Sequence, residues 1–238
     1  MGADAEQAMT RKMIRGLIFD FDGLILNTEA PVFQSWQEVF ARYGCELTLT
    51  NWADCIGRSP ESFDPCDQLE ESIGQALDRV AIRTEQRRRE MELIDAETVL
   101  PGVMDYITAA KRLGLKLGIA SSSSRDWVLG HLCRLGLDAQ FDAIQCAEDV
   151  VHTKPHPDLY LAVLGELSLK PFEAVALEDS PHGVRAAKQA EIFCVVVPNS
   201  LTEELPLDHA DLMLPSLAEV PLEELLFSIE QERRIRGV

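Results

Sequence analysis

Four short apolar runs in this chain each lead into a residue able to do chemistry, and that pattern limits the fold more than any other feature. Ile14 to Phe19 is followed at once by Asp20-Phe21-Asp22-Gly23, Leu117 to Ala120 by Ser121, and Ala174 to Leu177 by Glu178-Asp179. Ala143 to Cys146 leads into the loop that carries Lys154. Short apolar runs bounded by polar residues read as buried strands. Helices fit the stretches between them: Val103 to Leu113, Arg125 to Leu135 with Gly136 as its stop, and Pro157 to Leu167. Another follows Ser180, which can cap it, with Pro181 at its first position. Further strands are predicted at Phe193 to Val197 and Asp211 to Leu214. Strands alternating with helices imply a parallel sheet flanked by helices. The predicted fold class is therefore α/β: a doubly wound, Rossmann-like parallel sheet.

The texture changes between residues 31 and 96. Val32, Phe33, Trp36, Val39, Phe40 and Tyr43 recur at helical spacing, and Gly44 stops that helix. One long polar helix is predicted over Leu69 to Ile94, its Arg83, Arg87, Arg88 and Arg89 interleaved with Glu85, Glu90 and Glu92 as solvated ion pairs. No strand pattern interrupts this stretch. The predicted organisation is an N-terminal extension (1–13), an α/β core (14–30 and 97–238) and an inserted helical cap (31–96).

Size and charge exclude several functions. The chain has 238 residues, enough for one large domain with an insert, and its net charge of −18 repels nucleic acid and anionic membranes. No apolar run is long enough to span a bilayer, and Met1 to Thr10 lacks the apolar centre of a secretory signal, so a cytoplasmic location is expected. The six cysteines are scattered without a CxxC pair, which favours reduced, packed thiols over disulfides or zinc. Nothing demands a dimer, and a monomer is expected.

Open α/β sheets carry their sites at the carboxyl ends of the strands. The predicted topology therefore gathers Asp20, Asp22, Ser121, Lys154, Glu178 and Asp179 at one rim. Carboxylates around a phosphate repel it and one another: a pair of unit charges ~4 Å apart costs about 4 kcal/mol at an effective dielectric of ~20. A divalent cation offsets this, and hard oxygen ligands favour Mg2+. Lys154 can balance the remaining charge as an ammonium, while Ser121 and a backbone N–H of Ser122 could hold phosphate oxygens.

With these residues in order, the chain resembles the haloacid dehalogenase superfamily. Asp20-Phe21-Asp22-Gly23-Leu24-Ile25-Leu26-Asn27-Thr28-Glu29 looks like its first motif, Ser121 in Gly118 to Ser123 its second, Lys154-Pro155-His156-Pro157-Asp158 its third, and Glu178-Asp179-Ser180 with Gly183 its fourth. The helical insert resembles the cap of the β-phosphoglucomutase-like branch. The resemblance implies a magnesium-dependent phosphatase acting on a small phosphorylated metabolite, with a sugar phosphate as one option. It implies Asp20 as the nucleophile that forms an aspartyl-phosphate, and Asp22 as the acid that protonates the leaving oxygen and then activates water. It further implies metal ligands from Asp20, the backbone carbonyl of Asp22 and Asp179, with Glu178 as ligand or support, and phosphoryl binding by Ser121 and Lys154. In the insert, Cys55-Ile56-Gly57-Arg58-Ser59 resembles a specificity loop, so Gly57 and Arg58 are expected to meet the substrate.

Two departures bear on the reaction. Asn27 stands where the family often has Asp, and Pro31, Val32 and Phe33 occupy the region where the mutase subgroup commonly carries a His. The second favours hydrolysis over a sugar-phosphate mutase of β-phosphoglucomutase type, the nearest alternative. An alternative of another class is a receiver-type phospho-aspartate signalling module, against which the length and the insert argue. His182 is expected to face solvent at a helix start, and Trp36, Trp52 and Trp127 are expected to serve packing.

Overall fold

A computed structural model describes residues 14–52, 64–203 and 205–236. Its sheet has the strands β1 (Gly16–Phe19), β2 (Lys116–Ala120), β3 (Ala143–Gln145), β4 (Ala174–Glu178), β5 (Phe193–Val196) and β6 (Leu212–Met213). They lie in the order β3-β2-β1-β4-β5-β6, and every neighbouring pair is parallel. The α/β expectation holds, and each predicted strand is present within two residues of its expected ends.

The alternation of side chains along the strands sorts them into two layers. Leu17, Phe19, Leu117, Ile119, Val175, Leu177 and Val195 point to one face, packed by α5 (Val103–Arg112), α6 (Arg125–Leu135) and α9 (Leu222–Arg236). Ile18, Ala120, Ala174, Ala176, Cys194 and Val196 point to the other, covered by α7 (Asp158–Leu167) and α8 (Pro181–Gln189). Both faces of β1 are fully buried, which is why its sequence reads as an unbroken apolar run. Each fully buried Leu, Ile or Phe here contributes roughly 1.5–3 kcal/mol.

The segment after β1 forms α1 (Glu29–Arg42), α2 (Leu49–Trp52), α3 (Pro65–Ile73) and α4 (Arg79–Asp95). These helices share a separate apolar cluster built on Phe33, Trp36, Val39, Phe40, Trp52, Leu69 and Ile82. The single helix predicted over Leu69 to Ile94 is two. Gly74 ends α3 in the left-handed region at φ +71°, and the Asp78 side chain starts α4 by accepting from the Ala81 N–H. The expected arginine pairs form, but several leave their own helix: Arg89 reaches Glu38 on α1 and Arg83 reaches Asp64. Helix α9 was not anticipated at all. Leu222, Leu225 and Ile229 bury one stripe of it against the core, and Tyr106 on α5 ties its start by donating to the Val220 carbonyl at 2.8 Å.

The two chain crossings between the sheet and these helices run side by side. Leu26 bridges Val99, and the Leu100 N–H donates to the Ile25 carbonyl at 2.9 Å.

Candidate active site

The carboxyl ends of β1, β2 and β4 and the loop after β3 meet at one rim of the sheet. Asp20 extends β1 by donating its backbone N–H to the Leu177 carbonyl at 2.9 Å, which fixes it beside the end of β4. There the Lys154 Nζ donates to Asp20 Oδ1 and to Glu178 Oε1, both at 2.6 Å. All three side chains are buried. Glu178 also accepts from the Tyr160 hydroxyl and, at its other oxygen, from the Asp179 N–H at 3.2 Å. Gly183 leaves room for that carboxylate: a Cβ there would lie 1.8 Å from Glu178 Oε2. Asp179 is held from the loop after β5, where Asn199 Nδ2 donates to its Oδ2 at 2.7 Å.

Asp20, Glu178 and Asp179 each bring one carboxylate oxygen within 4.8 Å of the others. Among the described residues Lys154 is the one ammonium bonded into this group, so with all three carboxyls ionised two negative charges would stay uncompensated. Burial pushes the Asp20 carboxyl up to about 7 despite the pull of Lys154, and Glu178 and Asp22 add to the rise. Burial, with Glu29 and Asp20 nearby, likewise holds Asp179 well above the usual carboxylate range. Burial alone would lower Lys154, but Asp20 and Glu178 outweigh it and keep the ammonium charged. Asp179 Oδ1 is buried and has no hydrogen-bond partner among the described residues. A cluster of hard oxygen donors, a deficit of two positive charges and an orphaned carboxylate oxygen fit a divalent cation of the magnesium type.

Asp22 is turned away from that cluster. Its Oδ1 accepts from the Thr28 hydroxyl at 2.7 Å and from the Trp127 indole N–H at 2.9 Å. Its Oδ2 accepts from Ser123 at 2.6 Å and from Ser121 at 3.3 Å. Among the described residues these four bonds engage both oxygens of the Asp22 carboxylate. The Ser121 oxygen also accepts from the Ser123 N–H at 3.0 Å, and the neighbouring Ser122 hydroxyl is buried without a partner among the described residues.

The structure thus brings together Asp20, Asp22, Ser121, Ser122, Lys154, Glu178 and Asp179, while Gly57 and Arg58 lie outside the described residues. His182 differs from its expectation: it is buried, because its helix turns inward over the sheet. Sequence reasoning missed Tyr160, Asn199, the bond from Ser123 to Asp22 and the polar role of Trp127. Asn199 follows β5 at the same rim, so the strand-end rule could have found it. Tyr160 carries no signal that separates it from a core residue.

Residues 17–197 match the family described as haloacid dehalogenase-like hydrolase. The chain belongs to that family. Among the relatives of this hydrolase, the Bacillus subtilis (strain 168) protein YhcW, provisionally named a phosphatase, is 45% identical over 214 residues, covering 90% of this chain and 97% of its own. Hexitol phosphatase B of Escherichia coli (strain K12) is 31% identical, covering 91% of this chain and 99% of its own. Of the solved structures, β-phosphoglucomutase from Clostridium difficile superposes with a TM-score of 0.74 at 25% identity, over 94% of this chain and 100% of that one. With phosphatases as its relatives, this haloacid dehalogenase-like hydrolase is a phosphoric monoester hydrolase. No helix among its described residues is long and apolar enough to cross a membrane.

Proposed function

We propose that this hydrolase is a magnesium-dependent phosphatase that releases phosphate from a small phosphorylated metabolite through an aspartyl-phosphate at Asp20. The observation that carries the reading is the placement of Asp20: buried at a strand end, with Lys154 on Oδ1 and two further carboxylates within ligand distance. Asp20, Asp179 and the Asp22 carbonyl, with Glu178 as ligand or support, would hold magnesium. When bound, the ion supplies positive charge that lets an anionic nucleophile approach an anionic phosphate.

The residues then divide the work. Among the described residues Lys154 engages Oδ1 of Asp20, leaving Oδ2 to attack phosphorus. The new Asp20–phosphorus bond forms as the bond to the leaving oxygen breaks, and Asp22 passes its proton to that oxygen. In the second half Asp22 takes a proton from water, the water oxygen bonds to phosphorus, and Asp20 is released as a carboxylate. Ser121, a backbone N–H of Ser122, and Lys154 hold the phosphoryl oxygens. Residues 31–96 act as a cap over the core of 14–30 and 97–238, and Gly57 and Arg58 contribute to choosing the substrate. A cytoplasmic monomer remains part of this reading. The name of the Escherichia coli relative favours a polyol or sugar phosphate among possible substrates.

Purified protein should release inorganic phosphate from a panel of sugar and polyol phosphates with magnesium, and not with chelator. Asp20→Ala should reduce the release to background. Isomerised sugar phosphate without free phosphate would replace this reading with the mutase.

A further inference from the structure

The phosphatase reading gives Asp22 a proton to deliver but not the oxygen that carries it. We propose that Trp127 is a positioning residue that fixes Asp22 so that Oδ2 presents the proton to the leaving group; the inference rests on Asp22 acting as the acid.

The donors around Asp22 differ in what they can do. An indole N–H only donates, whereas a hydroxyl either donates or accepts. Trp127 Nε1 lies 2.9 Å from Asp22 Oδ1. With that bond made, Oδ1 is the accepting oxygen, because a proton there would compete for the place the indole occupies. Among the described residues Oδ2 faces only hydroxyls, Ser123 at 2.6 Å and Ser121 at 3.3 Å, and either can turn to accept. Ser121 follows β2 at the rim that holds Asp20, so the Oδ2 side of Asp22 adjoins the residue proposed to bind the phosphoryl group.

The indole is itself held. Arg87 of α4 lies 4.7 Å over the Trp127 ring and is paired with the buried Glu90. The His131 ring, one turn along α6, meets Trp127 edge-on at 4.4 Å. Burial, with Arg134 nearby, lowers His131 and so disfavours a charged imidazole there. A cation on one side and a ring edge on another fix the plane of the indole, and therefore the direction of its N–H. Arg87 belongs to the helices inserted after β1, so their placement reaches the acid through this ring.

The test is the dependence of rate on the leaving group, using 4-nitrophenyl phosphate, whose phenolate departs with little need of a proton, and phenyl phosphate, which needs one. Two variants remove the N–H: Trp127→Phe, and replacement of Trp127 by its benzothienyl analogue, in which sulfur takes the place of the N–H and the ring shape is kept. Both should lose roughly tenfold more kcat/KM on phenyl phosphate than on 4-nitrophenyl phosphate, the scale of one hydrogen bond to a charged group; kcat/KM reports the steps through phosphorylation of Asp20 and not the hydrolysis that both substrates share. A purely structural role would lower both values together. Wild-type ratios of the two kcat/KM values in the benzothienyl form would overturn the proposal. Asp22→Asn, run in parallel, separates the failures. If it discriminates the substrates while both Trp127 variants do not, Trp127 falls alone; if it does not discriminate them, Asp22 is not the acid and both readings fall.

Discussion

Lys154 and Asp20 form a buried ion pair, Nζ to Oδ1 at 2.6 Å, although 134 residues separate them in the chain. The same ammonium reaches Glu178 at 2.6 Å, so one cation holds together the ends of β1 and β4. Its removal leaves two carboxylates buried without their counter-charge. Lys154→Met should destabilise the fold by about 3–5 kcal/mol, the usual cost of breaking a buried pair from one side. In a chain of this size that lowers Tm by on the order of 10 °C. Turnover of 4-nitrophenyl phosphate should be lost as well; thermal denaturation checks the first effect and a phosphate-release assay the second.

The raised carboxyls at the rim make stability depend on pH with a definite sign. An unfolded Asp titrates near ~3.9, whereas Asp20 in the fold holds its proton up to about 7. Between those values the folded state binds more protons than the unfolded one, so stability falls as pH rises through that window. Asp179 acts in the same direction. In chelator, the contribution of these groups should lower Tm as pH rises from about 5 to about 7.5. Magnesium binds the ionised carboxylates, so its stabilising effect should grow over the same range. Melting curves with and without magnesium test this; a magnesium effect that shrinks with rising pH would contradict the sign.

Gly183 reports on the support of Glu178. An added Cβ would lie 1.8 Å from Oε2 and 2.1 Å from Oε1 of that carboxylate, which Lys154 and Tyr160 hold from the other side. Gly183→Ala should therefore cost about 1–3 kcal/mol by overpacking, and should weaken magnesium binding as Glu178 is displaced. Denaturant unfolding and magnesium titration measure the two, and wild-type values in both would show that Glu178 can shift freely.

Much of this was legible in the sequence because burial on both faces writes strands as apolar runs. β1, β2, β4 and β5 could be placed for that reason, and Asp20, Ser121, Glu178 and Asp179 followed from the rule that sites gather at strand ends. Helices dense in charge were harder. The break between α3 and α4 hangs on Gly74 and Asp78 within a polar stretch, and the apolar stripe of α9, with Leu222, Leu225, Leu226 and Ile229, is short and shares its helix with Glu223, Glu224, Glu230 and Glu232. The site's supporting contacts were least legible. Trp127 meets Asp22 across 105 positions, and Tyr160 meets Glu178 from a helix whose other buried positions are plain core. Such residues act through another side chain, and only folding brings that partner near.

The most direct test of the account is to trap the covalent intermediate. Asp22→Asn should still be phosphorylated by 4-nitrophenyl phosphate in the presence of magnesium, but should hydrolyse slowly, because the water lacks its base. Acid quenching followed by borohydride reduction converts an acyl-phosphate to an alcohol, and peptide mass spectrometry locates it. The account predicts homoserine at position 20. Reduction at another carboxylate, or none while phosphate is still released, would contradict it.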